Sequence, residues 1–146
     1  MNNPTPLRVE DSKYKDKYRE KLSLDSGNYY IFDKFVIGEV NEGEHFDWET
    51  AKVVIQRVYL HFGTTDIKVS YISNRINSYS VQPKDWLIFF KERHKIKSIA
   101  VVAYNKMGMM SVVLERIFSK APIRKFDNLD KAIHWVLNGK SKKVEL

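Results

Sequence analysis

The spacing of apolar positions changes along the chain, and the change separates two kinds of element. Leu22 and Leu24 alternate with polar residues before Asp25-Ser26-Gly27, and the apolar runs Tyr29–Phe32 and Phe35–Val40 flank Asp33-Lys34. That pattern predicts antiparallel strands, with Asp33-Lys34 as a two-residue hairpin turn. From Asp47 onward the period lengthens. Trp48, Ala51, Ile55, Val58 and Phe62 recur at helical spacing, with Asp47 placed to cap the helix and Gly63 to end it. Ile67–Ile72 predicts a strand, and Pro83 opens a second helix whose stripe is Trp86, Phe89 and Phe90, ahead of the basic stretch Lys91–Lys97. Ile99–Tyr104 is continuously apolar, the mark of a central parallel strand covered on both faces. A third helix follows with Met110, Val113, Leu114, Ile117 and Phe118 as its expected buried face, then a short strand at Ile123–Phe126. Asp127 or Asn128 caps a last helix that turns Ala132, Ile133, Val136 and Leu137 inward before Gly139 closes it.

Helices alternating with strands after an initial hairpin give an α/β class: a single layered domain in which an N-terminal antiparallel hairpin is followed by βαβαβα, with a mostly parallel sheet flanked by helices. The domain is expected over residues 22–139. Residues 1–21, polar and carrying Pro4 and Pro6, read as a flexible or loosely docked arm, and residues 140–146 as a frayed tail.

At 146 residues the chain can bury a core without disulfides or metals, and it contains no cysteine, which removes thiol catalysis and Cys-ligated metal from consideration. With no signal peptide pattern and no run long enough to span a bilayer, a cytoplasmic protein is expected. The net charge of +7 raises nucleic acid or an anionic membrane surface as partners. The basic residues are scattered among acids, with small clusters only at Lys13–Lys21, Lys91–Lys97 and Lys140–Lys143, and this favours a solvated surface over either partner. His45, His61, His94 and His134 lack metal-ligand spacing, so neither a metal nor another cofactor is expected.

Candidate chemistry concentrates in the polar stretch after the second strand signal, since open α/β sheets meet ligands beyond the carboxyl ends of their strands. Asn74, Arg75, Asn77, Ser78 and Ser80 there, with Tyr104, Asn105 and Lys106 after the central strand, would converge on a polar anion pocket if the two strands are neighbours. The alternative is that the amides and hydroxyls only satisfy turns and caps. Neither loop supplies a strong base, a thiol or a carboxylate, so no catalytic residues are assigned. Trp86 and Phe90 with Met107 and Met110 could line a lipid-sized apolar cleft, or simply pack the core.

The element order, the polar loop ISNRINSYSV and the ending IAVVAYNK…FDNLDKAIHWVL resemble the STAS domain, in particular its branch of small stand-alone STAS/CRAL-TRIO-like proteins, over roughly residues 29–138. The resemblance implies a non-catalytic domain that binds a protein partner, sometimes under phosphorylation control, and its CRAL-TRIO-like side suggests an apolar ligand cleft. In the anti-sigma antagonists the phosphorylated residue lies in an Asp-Ser-Ser/Thr-Gly-like stretch. The matching region here, Asn77-Ser78-Tyr79-Ser80-Val81, lacks the Asp and the Gly, which leaves Ser78 and Ser80 as the positions such a switch could use. The expected function is therefore a regulatory binding module for a protein partner or a small anionic or lipid-like ligand. The alternatives are a small enzyme using the same cleft and a basic binder of nucleic acid or membrane surface.

Overall fold

A computed structural model of the chain describes residues 5–105 and 112–139. Its main sheet has six strands: β1 (Glu20–Leu24), β2 (Gly27–Ile31), β3 (Phe35–Val40), β5 (Ser70–Arg75), β7 (Ile99–Ala103) and β8 (Ile123–Phe126), adjacent in that order. β1, β2 and β3 form an antiparallel meander, β1 being the strand over Leu22 and Leu24 whose alternation predicts it, and β3, β5, β7 and β8 run parallel. The Asp33-Lys34 turn is closed by Phe32 N–H donating to the Phe35 carbonyl at 2.8 Å. Between the parallel strands come α1 (Trp48–Phe62), α2 (Asp85–Lys91) and α3 (Val112–Phe118), and α4 (Leu129–Asn138) follows β8. A two-stranded parallel pair, β4 (His45–Phe46) with β6 (Ser80–Val81), ties the polar loop to the start of α1.

Because β3, β5, β7 and β8 succeed one another in a single direction, right-handed crossovers put α1, α2 and α3 on one face and leave the other to α4. The side chains sort accordingly. Val36, Ile99, Val101 and Ile123 meet α1, α2 and α3, whereas Ile37, Ile72, Ala100 and Val102 meet Leu129, Ala132, Ile133 and Val136 of α4. All five residues of β7 are buried, as a strand covered on both faces requires. Two helix starts are capped at the expected residues: Asp47 Oδ1 accepts from Thr50 N–H at 3.1 Å, and Asn128 Oδ1 accepts from Lys131 N–H at 2.9 Å. Gly63 ends α1 with φ 73°, the left-handed conformation a glycine adopts without cost.

Four expectations are corrected. The domain does not begin at Leu22. β1 starts at Glu20, and Val9 in the supposed arm is fully buried against the α4-side core, held by Val9 N–H donating to Glu39 Oε2 at 2.8 Å and by Tyr14 O–H donating to Asp130 Oδ1 at 2.7 Å. The second strand lies at Ser70–Arg75, not Ile67–Ile72, because pairing with β3 on one side and β7 on the other carries it through the polar residues to Arg75. The third helix turns the opposite face inward: Val113, Leu114 and Ile117 are 54%, 51% and 62% exposed, while Val112 and Glu115 are buried. Leu137 of α4 is likewise exposed, at 41%.

Candidate functional site

Extending β5 to Arg75 decides where the polar residues go. Successive side chains of a strand point to opposite faces, so Asn74 and Arg75 cannot share a pocket. Asn74 enters the α4 side, where all its hydrogen-bonding groups are used. Its Nδ2 donates to Glu39 Oε2 at 2.8 Å and to the Leu7 carbonyl at 2.9 Å, and its Oδ1 accepts from Tyr104 O–H at 2.7 Å. Burial pushes the Tyr104 hydroxyl up to about 12, so it remains a donor at neutral pH. Asn74, Tyr104 and Glu39 thus anchor the segment around Leu7 and Val9 at the carboxyl end of the sheet.

Burial also raises the Glu39 carboxyl above its ordinary value, against the opposing effect of the bonds from Val9 N–H and Asn74. The folded protein then holds this proton more tightly than the unfolded chain does. Its contribution to stability is complete below the ordinary carboxylate value and is lost as pH rises through the raised one. Glu39→Gln, which keeps an acceptor oxygen but cannot ionise, is expected to remove that loss. The difference in urea-melt stability between the parent and the variant should shift in the variant's favour as pH rises through this window, and a constant difference would contradict the assignment.

Arg75 enters the other side and is buried with its counter-ion. Its Nη2 lies 2.9 Å from Glu115 Oε2, with the two side chains 7% and 4% exposed. Arg75 Nε donates to Ser73 Oγ at 3.1 Å, Ser73 Oγ and the Tyr79 hydroxyl are 2.8 Å apart, and the guanidinium carbon stands 5.9 Å from the centre of the Tyr79 ring. Trp86 Nε1 reaches Glu115 Oε1 at 3.4 Å, a longer contact. Glu115 is the residue that sequence reasoning missed. Its only signal is a carboxylate three positions after Val112, on what became the inward face of α3. Pairing with Arg75 turns that face in and leaves Val113, Leu114 and Ile117 outside.

Above this cluster, between α1, α2 and the sheet, lies a cavity of about 150 Å³. Val36, Val54, Val58, Ile67 and Ile99 supply aliphatic wall, and aromatic wall comes from Phe46, Trp48, Tyr59, Tyr71, Trp86 and Phe89. Ser73, Arg75, Tyr79 and Glu115 are at its polar end. Where α1 and α2 approach each other, Tyr59 Oη and His94 Nδ1 are 2.6 Å apart, and His94 lies against Trp48 and Phe89.

The predicted anion pocket is therefore divided. Asn74 and Tyr104 are on the α4 side, Arg75 is on the α1 side, and the remaining loop residues sit at the surface. Asn77 Nδ2 donates to the Val40 carbonyl at 2.9 Å, Ser78 N–H donates to Glu42 Oε1 at 2.8 Å, and Ser80 Oγ is 2.6 Å from His45 Nδ1 as an exposed cross-strand pair. Asn105 is exposed after β7, and Lys106, Met107 and Met110 lie outside the described residues. Of the predicted apolar cleft, Trp86 lines the cavity and Phe90 packs behind it, 6.1 Å between ring centres, in the core around Val101. Among the described residues no group of His, Asp or Glu could hold a metal ion, and no helix is long and apolar enough to cross a membrane. No protein-family model matches the chain, and neither a curated protein nor a solved structure matches it.

Proposed function

We propose that this protein is a non-enzymatic binding module of the α/β class that takes a small, mostly apolar ligand into the cavity between α1, α2 and the sheet, in a cytoplasmic setting. The observation that carries the reading is the cavity itself, about 150 Å³ of apolar and aromatic surface in a domain of this size. Protein interiors are close-packed, so an apolar hollow of this size between helices and sheet leaves side chains without the partners that a ligand can supply. A ligand that enters it buries apolar surface from water, which is favourable.

The charge distribution supports binding over turnover. Arg75 and Glu115, at the polar end of the cavity, are paired with each other, and burial holds the neighbouring Tyr71 and Tyr79 hydroxyls above the ordinary tyrosine range. The Ser80–His45 contact, which has the residue types of a nucleophile and its base, lies at the exposed surface and does not line the cavity. The apolar cleft that the CRAL-TRIO-like side of the STAS resemblance implies is the reason to read the site as one for a ligand and not as a free anion pocket.

Benzene tests the reading, because an apolar cavity of about 150 Å³ takes up a benzene molecule. Benzene is expected to raise the melting temperature saturably, since a ligand that binds only the folded state stabilises it by mass action. Ala51→Phe, which puts a ring into the cavity from α1, should abolish the rise while leaving a folded protein. Equal benzene stabilisation of parent and variant would exclude this cavity as the site.

A further inference from the structure

Tyr71 lies two residues before Ser73 and four before Arg75 on β5, so its side chain joins theirs on the α1 side and lines the cavity. A Cβ at position 38 would collide with the Tyr71 hydroxyl, so Gly38 on the neighbouring strand leaves the room that this group occupies. The nearby tyrosines are satisfied: Tyr29 Oη is 2.7 Å from Ser26 Oγ, and Tyr79 Oη is 2.8 Å from Ser73 Oγ. The Tyr71 hydroxyl has no hydrogen-bond partner among the described residues. Since no side-chain polar atom closed off from solvent lacks a partner, the Tyr71 oxygen is open to solvent, and the residue that carries it lines the cavity. Burial raises this hydroxyl well above the ordinary tyrosine range, so at neutral pH it carries its proton and can both donate and accept. The cations at the cavity are matched already, Arg75 by Glu115 at 2.9 Å and Lys95 by Asp66 at 2.9 Å.

We propose that the cavity selects a neutral single-ring compound of the phenol class, held by its hydroxyl against Tyr71 and by its ring between the aromatic walls. This deepens the ligand-site reading and rests on it. The volume suits one six-membered ring, and Phe46, Trp48, Trp86 and Phe89 offer ring faces and edges to it. An anion of the same size would give up its hydration with no unmatched cation to receive it, which is costly. A phenol hydroxyl exchanges a bond with water for one with Tyr71. The ligand chemistry expected from the polar loop, a small anion, is thereby replaced by a neutral hydroxyl compound.

Benzene, phenol and benzoate, titrated calorimetrically near neutral pH into the parent protein and into Tyr71→Phe, distinguish the possibilities. Phenol is expected to bind the parent at least as tightly as benzene, and benzoate at least tenfold more weakly than phenol. Tyr71→Phe should weaken phenol about tenfold, the effect of leaving a buried hydroxyl unpaired, and leave benzene unchanged. The variant removes a hydroxyl that has no protein partner among the described residues, so its melting temperature should match the parent's. Phenol binding more weakly than benzene to the parent, benzoate matching phenol, or an unchanged phenol-to-benzene ratio in Tyr71→Phe would overturn the proposal while leaving the cavity as an apolar site. If neither benzene nor phenol binds the parent, the cavity reading itself fails.

Discussion

Val101→Asp is expected to abolish folding. Val101 has no exposed surface, lies in the middle of β7 and packs against Val112 and Ile123. With β5 on one side and β8 on the other, the strand cannot turn the new carboxylate outward. An unpaired carboxylate in that position must either ionise in an apolar environment or take up a proton at the cost of a raised pKa, and in either form it lacks a partner. The cost of several kcal/mol is comparable to the whole stability of a domain. Circular dichroism and size exclusion should show an unfolded or aggregated chain. A soluble variant with the parental melting curve would contradict the placement of β7.

Glu115→Ala is expected to cost about 3–5 kcal/mol, the range observed when one member of a buried ion pair is removed and its partner keeps its charge. The figure applies here because both side chains are below a tenth exposed, unlike surface pairs such as Arg19 with Asp33, which water and salt screen. Arg75→Met combined with Glu115→Leu removes both charges and should recover most of the loss, because hydrophobic replacement of a whole buried pair is often neutral. Urea melts of the parent, the single and the double variant measure both effects. A single variant as stable as the parent would mean that Arg75 does not depend on Glu115, and would reopen Arg75 as an anion receptor.

These two variants also mark what the sequence makes legible. β7 is readable because five consecutive small or branched apolar residues have few alternatives to a doubly covered strand, and Asp47, Gly63 and Asn128 are readable because caps are local chemistry. The site is not local. Whether Arg75 closes a strand or opens a loop depends on its pairing with Ala103, twenty-eight positions away along the chain. The same pairing sends Asn74 to one face and Arg75 to the other, which splits the expected pocket. The inward face of α3 is illegible for a related reason. Hydrophobic periodicity favours Val113, Leu114 and Ile117, and only a buried guanidinium contributed by another strand makes the face with Glu115 the better one. The docking of Val9 was missed because its anchors, Glu39 and Asn74, lie on β3 and β5 and give the N-terminal segment no signal of its own.

The central claim, that the space between α1, α2 and the sheet is a ligand site, is tested most directly by nuclear Overhauser contacts from benzene protons in the bound complex. The account predicts contacts to the methyl groups of Val36, Val54 and Ile99, which line the cavity from β3, α1 and β7, and none to Val113, Leu114 or Ile117 on the exposed face of α3. Contacts confined to that exposed face, or no saturable binding at all, would contradict it.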